Sequence, residues 1–166
     1  MRSHIMELPR KIVVGEKNIG DIGSFLKSLV DPKNVSLISG NNVKKIVQKK
    51  IEKSLNMSKI KHVWYISKTI DKKSIIEIEN KILQNKSDLI IGIGGGRSVD
   101  IAKMIGFNIG KPFVSIPTSA SHDGIASPFV SVKGDRPHSL VATAPLGVFV
   151  DVDIIKKAPR RLLASG

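Results

Sequence analysis

Cysteine is absent from the 166-residue sequence. This absence excludes a disulfide framework, cysteine-based catalysis and a zinc site built from thiolates. No apolar run approaches the roughly 18 residues that a membrane-spanning helix needs, and the polar N-terminal residues do not resemble a secretory leader. We therefore expect a cytoplasmic chain with no membrane insertion.

Aromatic residues are scarce, at 4% of the sequence, and acidic residues are outnumbered: 27 Lys and Arg against 14 Asp and Glu give a formal charge of +13. A nucleic-acid surface usually combines clustered basic side chains with aromatic rings that stack on bases. Here the lysines are dispersed through the predicted helices. We therefore expect no nucleic-acid partner, and the excess charge is either a solvated surface or a field that attracts anionic small molecules.

Strand and helix patterns alternate along the chain. Apolar runs bounded by turn signals predict strands, and apolar residues at helical spacing separate most of them. The fourth run is apolar throughout, as in a strand that is buried on both faces of a parallel sheet. Repeated strand–helix–strand units predict an α/β fold with a doubly wound, mostly parallel, Rossmann-like sheet. The predicted strands are residues 11–15, 35–39, 62–66, 89–93, 112–116 and 147–151.

Two further short runs, residues 129–132 and 139–143, flank a turn that contains Gly134 and Pro137. They predict a small β-hairpin that lies off the main sheet.

Three consecutive glycines, Gly94, Gly95 and Gly96, follow the fourth strand and precede a predicted helix. Glycine permits a sharp turn and a close approach of the backbone to a pyrophosphate, and the free N–H groups at a helix start favour an anion. Ligands of parallel sheets bind at this carboxyl edge. We therefore predict that a cofactor pyrophosphate lies on residues 94–98. Arg97 departs from the usual dinucleotide fingerprint, which needs a small residue at that position.

A second polar segment, Ile116 to Pro128, follows the fifth strand and therefore lies at the same edge. Its small hydroxyl side chains can hydrogen-bond phosphate, ribose or a substrate alcohol. His122 and Asp123 are adjacent, and adjacent residues on a loop seldom converge on one metal ion. The remaining histidines do not have ligand spacing. We therefore assign no metal ligand and no catalytic residue, and we expect Asp123 to line the site.

The two motifs together resemble those of the sn-glycerol-1-phosphate dehydrogenase family, in the glycerol dehydrogenase and 3-dehydroquinate synthase superfamily. The first reads Gly94-Gly95-Gly96 followed by Asp100-x-Ala102-Lys103, and the second runs from Pro117-Thr118 to Ser127-Pro128. The resemblance covers essentially the whole chain. It implies reduction of dihydroxyacetone phosphate to sn-glycerol 1-phosphate by NADH or NADPH, for archaeal-type membrane phospholipid biosynthesis.

The resemblance also implies roles for individual residues. Asp123 matches an acid that contacts the substrate, which is a small phosphorylated molecule. The family's metal, usually zinc, is held by residues that match positions beyond Gly166. Besides Gly94 and Gly95, the implied cofactor contacts are Gly96, Arg97, Ser98, Val99, Asp100, Thr118, Ser119, Ala120, Ser121 and Ser127.

These matches predict an NAD(P)-binding domain over residues 1–157. Residues 158–166 would begin an all-helical C-terminal domain that is otherwise absent, so the chain alone should be inactive. A metal-dependent glycerol (polyol) dehydrogenase and a non-catalytic nucleotide-binding module remain alternatives, and the full-length enzyme could be a homo-oligomer.

Overall fold

The computed structural model describes residues 8–67, 72–120, 125–132 and 138–160. The helices are α1 (Ile22–Leu29), α2 (Asn41–Met57), α3 (Lys72–Gln84), α4 (Gly96–Asn108) and α5 (Val152–Ile155), and a 3-10 turn (Ile19–Asp21) precedes α1. The strands are β1 (Lys11–Gly15), β2 (Asn34–Ser39), β3 (Lys61–Ile66), β4 (Leu89–Gly94), β5 (Phe113–Pro117), β6 (Phe129–Val132), β7 (His138–Val141) and β8 (Gly147–Asp151).

Six strands form one sheet in the order β1-β8-β5-β4-β2-β3, and every neighbouring pair is parallel. Strands β6 and β7 form a separate antiparallel pair. The doubly wound parallel sheet and the hairpin outside it are therefore confirmed.

Helices cover both faces of this sheet. Successive side chains of a strand point to opposite faces, so neighbouring residues of one strand pack into different cores. Leu37 packs in a core with residues of α1 and α2, such as Leu26 and Ile51. Its neighbour Ile38 packs in a second core with residues of α3 and α4, such as Ile105. Burying each such side chain contributes about 1.5–3 kcal/mol, so the sheet is stabilised from both sides.

Helix α4 lies unusually close to the sheet. A Cβ atom built on Gly92 of β4 would lie 2.7 Å from Cβ of Ala102 and 3.1 Å from Cα of Val99. Only a residue without a side chain permits this approach. Gly92 therefore fixes how the first turns of α4 sit against the end of β4.

Strands β2 and β4 are neighbours, yet the chain leaves them in opposite directions. It runs from β2 through α2 to β3 on one side, and from β4 through α4 to β5 on the other. Such a switch point opens a crevice at the carboxyl ends of the strands, and ligands of doubly wound folds bind there. The glycine turn after β4 lies at this crevice.

Several details differ from the sequence prediction; strand β5, for example, is Phe113–Pro117 instead of residues 112–116. Helix α5 was not predicted, and it begins where Asp151 accepts hydrogen bonds from the N–H groups of Asp153 and Ile154. Strand β7 is His138–Val141 and thus begins and ends earlier than expected. Ile46 belongs to the apolar pattern of α2, but 62% of it is exposed.

Candidate functional site

The turn between β4 and α4 requires glycine at two successive positions. Gly94 has a φ of 148°, which residues with a side chain rarely adopt. Gly95 is the N-cap of α4, and a Cβ atom on it would lie 3.2 Å from the Ser119 hydroxyl oxygen. The backbone can turn here, and another group can approach it, only because both side chains are missing.

The first turn of α4 offers backbone donors to this crevice. The N–H groups of Ser98 and Val99 donate to the Gly95 carbonyl at 3.1 and 3.3 Å. The N–H groups of Gly96 and Arg97 precede the first N–H group that donates within the helix, so they have no acceptor inside α4. No side chain caps this end, and the helix dipole adds partial positive charge. The arrangement can bind an anion such as a phosphate.

The second polar segment begins beside this turn. Gly94 pairs with Pro117 in the sheet, and the Thr118 N–H donates to the Gly94 carbonyl at 2.9 Å. Ser119 follows and is 97% buried, with 3% exposed. The structure therefore brings the two motifs of the sequence together at one place.

Serine residues connect the ends of the neighbouring strands to the glycine turn. The hydroxyls of Ser67 and Ser98 lie 3.1 Å apart. The Ser67 N–H donates to the carbonyl of Ser39, the last residue of β2, at 2.9 Å. These bonds hold the start of α4 in register with β2 and β3, so the anion-binding amides are positioned by the sheet.

A cavity of about 170 Å³ adjoins the turn. Gly95, Thr118 and Ser119 form one side of it. Its other walls come from α2 and from the chain around and after α5, and they are mainly apolar: Val43, Ile46, Val47, Ile154, Lys157, Ala158 and Pro159. A flat apolar group next to a phosphate would fit this combination of an apolar wall and a glycine turn.

One charged residue lines the cavity in the described part of the chain, and it is positive. Among the described residues that line it, Lys157 is the charged one. The preceding Lys156 donates to Glu16 at 2.9 Å, and this hydrogen bond raises the pKa of Lys156. Since its neighbour is already paired with a carboxylate, Lys157 is the cation that an anionic ligand in the cavity would meet.

The predicted cofactor residues differ in solvent exposure and in hydrogen bonding. Arg97 and Ala120 are exposed at the mouth of the turn. Val99 packs in the core, and Asp100 is buried, with 2% exposed. Ser127 is half-buried, and its hydroxyl has no hydrogen-bond partner in the part of the chain that the structure describes. Ser121 and Asp123 lie outside the described residues.

Sequence reasoning assigned no site role to the cavity walls contributed by α2 and α5. One signal was present in the pattern of α2, where Ile46 lies next to Val47 and widens the apolar face beyond what the core needs. The sequence around and after α5 showed no comparable pattern of apolar residues, since the helix has four residues.

Metal-ligating side chains do not converge in residues 8–67, 72–120, 125–132 and 138–160: no group of three His, Cys, Asp or Glu could hold an ion there. His62 instead lies with its Nδ1 atom 3.3 Å from the Ile60 carbonyl. The described residues therefore do not fit a metal centre. Nor does any helix among them have the length and apolar character to cross a membrane.

Comparison with known sequences gives consistent matches. The family described as iron-containing alcohol dehydrogenase matches residues 13–159. Over the whole chain, the sequence is 64% identical to glycerol-1-phosphate dehydrogenase (NAD(P)+) of Nitrosopumilus maritimus strain SCM1 and 60% identical to the protein of that name from Cenarchaeum symbiosum strain A. Both matches cover 47% of the relative, so the chain spans about half the length of the curated relatives it matches.

Solved structures share the fold. Glycerol dehydrogenase from Schizosaccharomyces pombe superposes with a TM-score of 0.90 at 24% identity, over 99% of this chain and 43% of that one. A 1,3-propanediol oxidoreductase gives a TM-score of 0.85 at 16% identity, over 98% of this chain and 49% of the other. At these identities the likeness is one of fold alone.

Proposed function

The chain belongs to the iron-containing alcohol dehydrogenase family, and from this premise we propose that it is the cofactor-binding part of an NAD(P)H-dependent glycerol-1-phosphate dehydrogenase. The proposed reaction reduces dihydroxyacetone phosphate to sn-glycerol 1-phosphate. The observation that carries the proposal is the glycine turn at the switch point, in a chain 64% identical to a relative with that name.

The turn and the cavity fit a dinucleotide. Its pyrophosphate would accept hydrogen bonds from the amides of Gly96 and Arg97, with Gly95 leaving room for the oxygens. The adenine would lie against Val43 and Ile154 in the apolar cavity, and its flat faces suit such a wall. This placement directs the nicotinamide towards the segment that follows β5.

The chemistry divides between the cofactor and the chain. When bound, the nicotinamide supplies the hydride. The residues of this chain bind and orient the cofactor: α4 fixes the pyrophosphate, and Ser67 and Ser98 hold the start of α4 against the strands. Orientation of this kind places the reacting carbon near the substrate carbonyl and excludes alternative geometries.

The substrate side of the site belongs to the segment that contains Asp123. We propose that Asp123 contacts the hydroxyl of dihydroxyacetone phosphate and that Ser127, whose buried hydroxyl has no described partner, contributes a hydrogen bond nearby. Because the described residues do not fit a metal ion, the role proposed for them is cofactor and substrate binding. Zinc in the whole enzyme would require other ligands.

The wider setting follows from the same premise. We propose a role in making the glycerophosphate backbone of archaeal-type membrane phospholipids, in the cytoplasm, with the whole enzyme able to form a homo-oligomer. The boundary of the cofactor-binding unit near residue 157 remains a prediction.

Fluorescence titration of the purified chain with NADPH and NADH tests cofactor binding. Turnover is tested separately by following NADPH oxidation with dihydroxyacetone phosphate, and with unphosphorylated dihydroxyacetone as the control. We expect saturable cofactor binding, and oxidation that depends on the phosphorylated ketone in the whole enzyme. Oxidation with dihydroxyacetone alone would identify a polyol dehydrogenase, and absence of cofactor binding would refute the proposal.

A further inference from the structure

Lys103 of α4 is a fully buried lysine, with 0% of its surface exposed. Lysine is among the residues least often buried, because its ammonium group must leave water. Here Nζ donates to the Phe129 carbonyl at 2.6 Å and lies 3.8 Å from Oδ1 of Asp100. The cofactor-binding role proposed above does not use this lysine, so its burial calls for another explanation.

The Phe129 carbonyl marks the far end of the segment that follows β5. The near end of that segment is Thr118, whose N–H donates to Gly94 in the glycine turn. The far end is held by Lys103, which stands two turns into the helix that this glycine turn begins. One end of the segment is therefore attached to the glycine turn at the end of β4, and the other end to the helix that this turn begins.

We infer that Lys103 is a positioning residue: it fixes residues 125–132, which end the segment after β5 and form β6, relative to α4, and so aligns the substrate side of the site with the cofactor side. This inference rests on the proposed function, because that function defines which side of the site binds substrate and which binds cofactor. The attachment itself rests on the hydrogen bond from the buried Lys103 to the Phe129 carbonyl.

The hairpin extends the effect of this one bond. Phe129 is the first residue of β6, and within the described residues β6 pairs with β7 alone, in a sheet of two strands. The Ala142 N–H donates to the Pro128 carbonyl at 2.9 Å, which closes the base of the hairpin. A pair of strands is marginally stable by itself, so the hairpin depends on its attachment to α4 for a defined position.

Lys103→Met is the informative variant, because methionine fills a similar volume but cannot donate a hydrogen bond. Lys103→Arg keeps a charged donor and serves as the rescue variant, and Lys103→Gln is a milder neutral donor. Lys73→Met is the matched control, since Lys73 is exposed on α3, away from the cavity, and the substitution removes the same charge. All are made in the chain as it stands and compared by hydrogen exchange and by NADPH titration.

In Lys103→Met we expect amide exchange in β6 and β7 to accelerate about tenfold or more, while exchange in β4 and β5 stays unchanged. The dissociation constant for NADPH should change less than about twofold. Half-saturation of the NADPH-loaded chain by dihydroxyacetone phosphate should require about tenfold more ligand. Lys103→Arg should restore both properties in part, and Lys73→Met should alter neither.

Unchanged exchange in β6 and β7 would overturn the inference. So would a Lys103→Met or Lys103→Gln chain that loses the whole fold or loses NADPH affinity in parallel, because Lys103 would then be a general stability residue. Failure of the unsubstituted chain to bind NADPH or dihydroxyacetone phosphate would refute the proposed function instead, and the exchange result would still decide whether Lys103 holds the hairpin.

Discussion

Gly95 is the residue at which the candidate site should be most sensitive to one added side chain. A Cβ atom there would lie 3.2 Å from the Ser119 hydroxyl, and the branches of valine would extend into the space that a pyrophosphate must enter. We expect Gly95→Val to weaken NADPH binding at least about tenfold, or about 1.4 kcal/mol. Fluorescence titration measures this change, and circular dichroism shows whether the chain is folded.

Gly20→Val is the control for this substitution, because Gly20 is exposed and a Cβ atom on it meets nothing within 4 Å. It should leave NADPH affinity unchanged. A folded Gly95→Val chain with normal affinity would place the pyrophosphate somewhere other than this turn.

Asp151 is a residue whose importance is structural. Its buried carboxylate accepts hydrogen bonds from Ile19 N–H at 2.9 Å and from Asp153 N–H at 3.0 Å. It therefore caps α5 and attaches the 3-10 turn to β8. Asp151→Ala leaves these donors without their acceptor and should lower the free energy of unfolding by about 2–4 kcal/mol. Urea unfolding measures the loss.

The neighbouring Asp153 provides the comparison. Its carboxylate is 3.8 Å from Nζ of Lys156, in a pair that is partly exposed. Removal of such a pair costs at most about 1 kcal/mol, so Asp153→Ala should unfold near the urea midpoint of the unsubstituted chain. Equal losses in the two variants would show that the buried acceptor at Asp151 is not what stabilises this corner.

Residues that act through the backbone were predictable, whereas residues that act through tertiary contacts were not. Three glycines between a strand and a helix have few explanations, and Gly94 and Gly95 occupy the strained and crowded positions expected of them. The sequence indicated Lys103 only as a member of the family motif that ends in Ala102-Lys103, and it gave no reason to expect a buried lysine. Its burial depends on the hairpin that packs over α4, and local sequence does not encode that contact.

At the scale of elements, the start of α2 is the feature that bears on cofactor choice. Gly40 is its N-cap, and Asn41 and Asn42 follow as exposed residues. A carboxylate after the second strand would hold the ribose hydroxyls of NADH and repel the 2′-phosphate of NADPH. No carboxylate occurs in residues 39–45, and α2 contributes Val43 to the wall of the cavity.

We therefore expect the chain to bind NADPH, and Asn41→Asp to shift its preference towards NADH. One charge about 4 Å from the phosphate costs about 1 kcal/mol in water-like surroundings, so the ratio of the NADPH and NADH dissociation constants should rise about fivefold. Asn56→Asp adds the same charge in the last turn of α2 and should leave the ratio unchanged. Rejection of NADPH by the unsubstituted chain would contradict this assignment of α2.

Strands were easier to locate than the short helix between Asp151 and Lys156. Leu89 to Ile93 form an uninterrupted apolar run, and a strand buried under helices on both faces must have such a sequence. Helix α5 has four residues, too few for a helical period to appear in the sequence. The Asp151 side chain could have indicated it as an N-cap, but the same aspartate also ends β8.

For the whole molecule, alternation of strands and helices predicted the parallel sheet but left its strand order open. The order is determined by which strands the crossover helices can reach, and here it places β2 beside β4. That adjacency creates the crevice, so the location of the site follows from topology as well as from the glycine motif. The apolar wall of the cavity depends further on residues of α2 and α5 that line the same cavity. The sequence pattern does not show that these two helices come together.

The net charge of +13 also acts at the scale of the whole molecule. Three exposed lysines of α2, at positions 45, 49 and 53, form one row along the helix. The same helix lines the cavity at Val43 and Ile46. Positive potential at such a place increases the rate at which an anionic ligand arrives.

We expect the association rate of NADPH to fall about tenfold or more as salt rises from roughly 0.02 to 0.5 M, because the Debye length shortens to a few ångströms. Replacement of Lys45, Lys49 and Lys53 by glutamine should lower the rate at low salt and flatten its salt dependence. The matched variant replaces exposed Lys73, Lys81 and Lys86, near or on α3, and removes the same charge away from the cavity. Stopped-flow fluorescence measures both. Equal effects of the two triple variants would assign the attraction to net charge. We expect the larger effect from the α2 variant, because the interaction between two charges weakens with distance.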